Sequence, residues 1–384
     1  MQNLSKINDI YKFFLKIADF KVHKMIKINF SDIDYPNRIP TRPIDLQQEN
    51  FTQYFDYTTF IYDIFRNDKK TYIISPPSVN EAWSKFKEIT LFDDKPISSY
   101  ISNFYTNKIQ KLIIEKPIEK IRIKDRTYEI PKINGKLENK IVLYTLQKNN
   151  DIDWIIYWAN WYVDHHNVTD IVIYDNNSDI YSFSELKNKL NKIKTKVYLE
   201  SVDYLYGMFA YKGSKWDADF LQYAMFEHVR YYYLNNNGIL INSDIDEIVV
   251  GNNISITDLV EENVLLSYHG KWVYTKEEKL KKYHDDHNLI DQNSFYNNKW
   301  SILLKNTDDA VFLRVHHADN IKKKYSKDLV FLHHFFINAK MHWSGRRYEG
   351  GLLFPINLEC YDPKNPILSS YGETKDKIPD WLLN

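Results

Sequence analysis

The chain has 384 residues, with Lys+Arg and Asp+Glu balanced at 51 each and a formal net charge of zero. That balance argues against a general nucleic-acid binder, which carries a basic excess. Hydrophobic residues make up 43%, enough for a globular protein with one large core or two modest ones. The one cysteine, Cys360, excludes a disulfide framework and a cysteine-built zinc site, and points to a reducing compartment. Residues 1–20 lack the apolar core of a signal peptide, and no run approaches the ~18 apolar residues of a membrane span. A cytoplasmic protein is therefore expected. The 30 Tyr, 21 Phe and 9 Trp would suit platforms for sugar rings. They equally suit A/T-rich codon usage, which favours Lys, Asn, Ile, Tyr and Phe together.

Residues 1–24 read as a basic amphipathic helix, with Ile7, Ile10, Tyr11, Phe14 and Ile17 at helical spacing among lysines. Such a helix either rests on the inner membrane surface as a peripheral contact or packs on its own domain. From 25 to about 135 the pattern is strands and loops: Met25–Phe30, Thr71–Ser75, Lys111–Glu115, Ile118–Ile123 and Tyr128–Ile130. This is a β-rich accessory region with no evident chemistry. Pro131 to Lys136, containing Gly135, is the best boundary, so the expected domains are 1–135 and 136–384.

Beyond it the texture changes. Lys140–Leu146 is an apolar strand, Asp151 to about His165 a helix with Asp151 as N-cap, and Asp170–Tyr174 a second strand. Two strands bridged by one helix form a parallel βαβ unit with a right-handed crossover. Ser182–Leu190 reads as a helix, Lys196–Glu200 as a strand, and about Trp216–Leu234 as a helix leading into the strand Gly238–Asn242. The alternation predicts an α/β, Rossmann-like, doubly wound mixed sheet. Ligands of such sheets bind at the carboxyl ends of the strands, where Thr145, Asp175 and Asp244 fall.

The last of these strands runs into Asn242-Ser243-Asp244-Ile245-Asp246-Glu247. Three acids in four residues repel each other unless something positive sits between them. A hard divalent cation suits carboxylate oxygens and can also carry the phosphates of a nucleotide. A solvated acidic turn is the plainer alternative. Two His pairs follow apolar runs, His316-His317 and His333-His334; neighbours in a strand alternate faces, so at most one of each pair points into a given site. His284-Asp285-Asp286-His287 has metal-ligand residue types in a charged loop.

Leu143-Tyr144-Thr145-Leu146-Gln147-Lys148-Asn149-Asn150, then Asp153-Trp154, then Tyr174-Asp175-Asn176-Asn177-Ser178-Asp179, resembles the opening of family-92 (DUF23-like) and related family-2-type glycosyltransferases. Gln222, Asp244-Ile245-Asp246-Glu247, Lys299-Trp300-Ser301-Ile302, Val315-His316 and His334-Phe335-Phe336 are similar to their later segments, in the same order over roughly 140–348. Asn150 stands where those families carry Glu, and Trp158 where they carry His.

The resemblance implies a GT-A-like fold and a nucleotide-sugar donor bound with Mn²⁺ or Mg²⁺. It implies catalytic roles for Asp244, Asp246 and Glu247. Asp246 and His334 would hold the metal. Thr145, Lys148, Asn149, Asp175, Asn176 and Asp244 would line the nucleotide site. Gln222, His316, Arg346 and Arg347 would meet the acceptor or the diphosphate. It also implies inversion by single displacement, with Glu247, Asp217 and Asp319 as candidate bases. The expected function is transfer of a sugar to a glycan or glycolipid acceptor, in bacterial capsule or lipopolysaccharide synthesis. A sugar-phosphate or alditol-phosphate transferase, and a non-catalytic carbohydrate-binding protein with a structural calcium, are the alternatives.

Overall fold

In this computed structural model the structure describes residues 24–96, 101–133, 135–208, 219–251, 253–274, 289–291, 296–334 and 353–355. The expected helix over 1–24, Asp217, the 284–287 cluster, Arg346 and Arg347 lie outside the described residues.

The chain builds a mixed, ten-stranded sheet with helices on both faces. Its elements are β1 (Ile141–Gln147), α1 (Ile152–His166), β2 (Asp170–Asp175), α2 (Phe183–Lys189), β3 (Lys196–Ser201), α3 (Phe220–His228), β4 (Ile239–Asn242), β5 (Glu247–Val250), β6 (Val264–Tyr274), β7 (Leu289–Asp291), β8 (Tyr296–Leu303), β9 (Lys322–His334) and β10 (Leu353–Pro355). The strand order is β3-β2-β1-β4-β8-β6-β7-β10, and β9 joins β6 in parallel and β5 antiparallel. β1, β2, β3 and β4 are all parallel, while β8 runs against β4.

The chain steps from β1 outward to β3, then returns to the other side of β1 with β4. Connections diverge there, so the carboxyl ends of β1 and β4 mark the sheet's switch point, the place where ligands of such sheets bind.

β1 reads Ile-Val-Leu-Tyr-Thr-Leu-Gln because both its faces are covered. Leu143 packs with Ile171, Ile173, Trp158 and Tyr162 on the α1 side. Val142 and Tyr144 pack with Val172, Tyr174, Ala224 and Phe226 on the α3 side. Asp151 caps α1 by accepting from the Asp153 N–H at 2.9 Å, and Asn167 ends it in the left-handed region at φ 57°. Gly238 enters β4 at φ +129°, where a Cβ would lie 2.8 Å from the Lys140 carbonyl oxygen.

The first region forms a four-stranded antiparallel sheet from Asp63–Arg66, Thr71–Ser75, Gln110–Ile114 and Ile101–Tyr105, and a three-stranded one from Thr90–Phe92, Lys120–Ile123 and Arg126–Glu129. It also holds a helix, Asn80–Ile89, that the strand-and-loop reading missed. Only Ala82, Trp83 and Phe86 of its ten residues are buried, so the periodic signal is thin.

One apolar core runs straight through residue 135. Phe65, Tyr72 and Ile113 of the first region share a cluster with Tyr144, Tyr174 and Tyr231. Buried polar contacts cross the same seam. His228 Nε2 lies 3.0 Å from Asp63 Oδ2, and its Nδ1 2.6 Å from the Tyr174 hydroxyl. Lys111 Nζ donates to Glu227 Oε2 at 3.0 Å and to the Val311 carbonyl at 2.8 Å. Burial pushes the Lys111 ammonium down to about 8, with the Glu227 charge opposing. After His228 the helix loosens into a π turn over Val229–Tyr233. From it the Arg230 guanidinium joins the network, donating to Val311 O at 2.8 Å.

Removing one partner of a buried pair strands the other. Glu227→Gln should therefore lower stability in urea unfolding by about 3–5 kcal/mol. A loss near zero would mean Lys111 and Arg230 are held by their carbonyl partners alone.

Candidate active site

β4 is apolar and buried until Asn242, so the chain leaves the sheet only where the polar run begins. Ser243 is the hinge of the turn. Its hydroxyl accepts from Tyr162 OH at 2.8 Å and Trp158 Nε1 at 3.3 Å, both on α1, and donates to the Glu247 carbonyl at 2.9 Å. Trp158 thus braces the acidic turn from behind. Ile245, 1% exposed, plugs the turn into the α1-side core. Glu247 then opens β5, which pairs antiparallel with β9 so that Glu247 lies opposite His333.

A lysine and a histidine meet the acids. Lys299, on β8, has a side chain only 1% exposed; its Nζ lies 2.6 Å from Asp244 Oδ2 and 2.9 Å from Glu247 Oε2. Glu247 Oε2 also accepts from the Asp244 backbone N–H at 2.9 Å. On the other side His333 Nε2 is 3.3 Å from Asp246 Oδ2, and His333 Nδ1 is 3.6 Å from Glu247 Oε1.

The charges follow this geometry. Burial pushes the Glu247 carboxyl up, but Lys299 and His333 outweigh it and hold it below the usual carboxylate range. Asp244 moves the other way: burial and the neighbouring Glu247 and Asp246 charges raise it against the pull of Lys299. Burial lowers His333, yet the Asp246 and Glu247 charges leave it raised overall.

Donor atoms of Asp246, Glu247 and His333 lie within 4.8 Å of one another, and all three residues are buried. Two carboxylates and an imidazole suit Mn²⁺ or Mg²⁺-type chemistry, imidazole tilting the set toward the transition metal. Glu247 Oε1 is buried and accepts no hydrogen bond. An orphaned buried acceptor in a three-donor cluster is what a cation would satisfy, so the residues fit such an ion.

The sequence pointed to His334 as the ligand. The structure turns His333 toward the carboxylates instead. His334 faces the opposite way, with its backbone N–H donating to the Asp246 carbonyl at 2.8 Å and its Nδ1 at 3.1 Å from the same oxygen. It holds the backbone of the turn rather than the cluster. Sequence reasoning missed His333 and gave Lys299 no role, although alternation of the His pair left His333 open.

The other expected residues divide by strand face. Thr145, 1% exposed, has its hydroxyl buried without a partner. Asp175 is 4% exposed and pushed up by burial. Its carboxylate is engaged by Gln147 Nε2 and, at 2.6 Å, by the Ser178 hydroxyl. Asn149, at φ 59°, exchanges hydrogen bonds with Asp179 at 2.9 and 2.8 Å. Asn176 donates to the Val202 and Tyr204 carbonyls at 2.9 and 2.8 Å. Asn176 and Asn149 therefore tie loops together, and Lys148 is exposed beside them. Strand alternation puts Thr145, Gln147 and Asp175 on the α1 side of the sheet.

Asp244 lies toward the α3 side, where its charge is felt by Tyr144 and Tyr206. There Gln222 accepts from Tyr206 OH at 2.5 Å. His316 sits 3.0 Å from the Asn298 carbonyl and is pushed down to about 4, by burial first and the nearby Lys299 charge second. Asp319 is paired with Arg314 at 2.5 Å. Asp244 and Gln222 thus lie toward the α3 side of the sheet, and Thr145 and Asp175 toward the α1 side.

No family model and no curated protein matches the chain. Among solved structures, the apo structure of WbbM, a bifunctional glycosyltransferase, is similar over 40% of this chain and 27% of its own, at 14% identity and a TM-score of 0.24. A likeness that slight carries no argument about fold or activity. Among the described residues no helix is long and apolar enough to cross a membrane.

Ser243→Ala should cost about 1–3 kcal/mol, because it leaves the buried Trp158 N–H without its acceptor and the Tyr162 hydroxyl with only the longer 3.4 Å contact to the Glu247 carbonyl as acceptor. Thermal unfolding checks it. An unchanged melting temperature would show that α1 does not brace the turn through this hydroxyl.

Proposed function

We propose that the chain is a metal-dependent glycosyltransferase that moves a sugar from a nucleotide-sugar donor to a glycan or glycolipid acceptor. The observation that carries the reading is the buried Asp246–Glu247–His333 cluster, with its orphaned carboxylate oxygen, at the carboxyl end of the strand beside the sheet's switch point. The order of strands and the return of β4 beside β1 support a GT-A-like arrangement.

Asp246, Glu247 and His333 would hold the cation. When bound, it supplies a Lewis acid that stabilises negative charge growing on the leaving diphosphate. The chain's own residues do the rest. Lys299 keeps Asp244 and Glu247 close together without mutual repulsion. Asp244, with 34% of its side chain exposed, is the acid that reaches solvent, toward a ribose or a metal-bound water. Thr145 offers a buried hydroxyl on the α1 side. The acceptor would enter on the Gln222 and His316 side. A single inverting displacement is the simplest chemistry here: the acceptor oxygen forms the new glycosidic bond as the bond to the nucleoside diphosphate breaks. The acceptor proton passes to a carboxylate base, for which Asp217 and Asp319 remain the candidates because Lys299 and the cation would occupy Glu247. The biological setting we carry forward from the sequence is bacterial surface polysaccharide.

A panel of nucleoside diphosphates and nucleotide sugars, titrated with and without Mn²⁺ by calorimetry, tests this. Metal-dependent binding is expected, because a divalent cation would bridge the protein carboxylates and the diphosphate oxygens. Asp246→Ala should abolish it while the melting temperature in EDTA changes little. His333→Ala should abolish it and also melt lower in EDTA, because it leaves two buried carboxylates without their imidazole partner. Normal Mn²⁺-dependent binding in His333→Ala would remove this cluster from the reading. Donor turnover should release a nucleoside diphosphate; a monophosphate would mean sugar-phosphate transfer.

A further inference from the structure

We infer that Lys299 is the resident cation of the Asp244–Glu247 pair and limits the acidic turn to a single divalent ion. The inference rests on reading the turn as a cation site, but it concerns a residue to which that reading assigns no binding role.

Its ammonium makes two contacts of charge-assisted length, 2.6 Å to Asp244 and 2.9 Å to Glu247. It arrives from inside the sheet. β8 lies between β4 and β6, with Ser301 opposite Ile241 and Lys299 opposite Tyr268. The Lys299 carbonyl accepts from the Ser267 hydroxyl at 3.3 Å, and Tyr268 OH meets the Ser301 hydroxyl at 3.0 Å. A strand held on both sides fixes the ammonium far better than a surface loop would.

The ammonium divides the cluster into two edges. One edge, Asp244 Oδ2 and Glu247 Oε2, already has its positive charge. The other, Asp246 Oδ2, Glu247 Oε1 and the His333 ring, is where the orphaned acceptor lies. With the three acids ionised and His333 neutral, as an imidazole ligand of a metal must be, three carboxylates less one ammonium leave two negative charges, which one divalent ion neutralises. A second ion would have to displace a buried lysine. Without Lys299 the turn would carry three adjacent carboxylates and an open gap between Asp244 and Glu247. Its attraction for cations should rise, and its stability without them should fall.

The test uses the full chain and its Lys299→Met and Lys299→Arg variants. Mn²⁺ binding is followed by electron paramagnetic resonance of the free ion, and melting is measured in EDTA and in Mn²⁺. We expect Lys299→Met to bind Mn²⁺ at least about tenfold more tightly than the wild type, or to take up a second ion. It should melt lower in EDTA and regain the loss in Mn²⁺, while Lys299→Arg stays close to wild type. Binding by Lys299→Met that is unchanged or weaker, or an EDTA loss that Mn²⁺ does not restore, would overturn the inference. If Lys299→Met does not fold in EDTA, refolding from urea with Mn²⁺ present decides the matter: recovery supports the inference and failure overturns it. Mn²⁺ binding by Lys299→Met but not by the wild type would sink the metal-dependent reading and overturn the single-ion limit with it, whereas one ion bound equally by both proteins would overturn the inference alone. Absence of binding in both would sink both.

Discussion

Three carboxylates within four residues, packed against a sheet, set the central constraint on this molecule. Such a turn cannot be buried by local means, because each acid raises the cost of ionising the next. The compensation has to come from elsewhere in the chain. Lys299 arrives 55 residues later and His333 later still, on two strands that approach the turn from different sides. The turn is therefore complete only when β8 and β9 have both docked. Chemistry and long-range topology are the same event here, and loop-closure entropy must be met before either partner does its work.

The reverse side of the turn is held differently. Trp158 and Tyr162 reach Ser243 from α1 with neutral hydrogen bonds, and Ile245 packs into the apolar core beneath. His334 adds a grip on the Asp246 carbonyl. The acids are thus clamped from behind by rigid, uncharged contacts and balanced in front by charge. Fixed, uncharged contacts behind a charged turn hold its geometry in advance, which is the condition for electrostatic stabilisation without reorganisation.

Much of the second half was legible in the sequence because its signals are local. β1, α1, β2, β3 and β4 follow from apolar runs, an Asp cap and regular alternation, and their bounds shift by only one or two residues. The acidic turn was legible for the same reason. What escaped was pairing. Nothing near His333 marks it off from His334; the choice is made by the register of β9 against β5, which sets Glu247 opposite His333. Lys299 reads as one more lysine among many until β8 is placed beside β4. Asn176 shows the converse: the Tyr-Asp-Asn motif suggested ligand contacts, yet its amide is engaged by the Val202 and Tyr204 carbonyls. A polar residue at a strand end can serve a loop as well as a ligand, and residue type does not say which.

The first region is tied to the site through α3. Composition alone made residues 1–135 look like an accessory, because their strands carry no chemical motif. Yet Lys111 lies against Glu227, whose other oxygen accepts from the Leu313 N–H at 3.1 Å, just before the segment that carries His316. Asp63 holds His228, which meets Tyr174 of β2. These contacts fix the carboxyl end of α3, whose first turn carries Gln222 against Tyr206. The seam is fully buried and charged, which makes it costly to open and poor at sliding. A region joined to the helix in this way is part of one continuous core with the sheet, rather than a separable accessory.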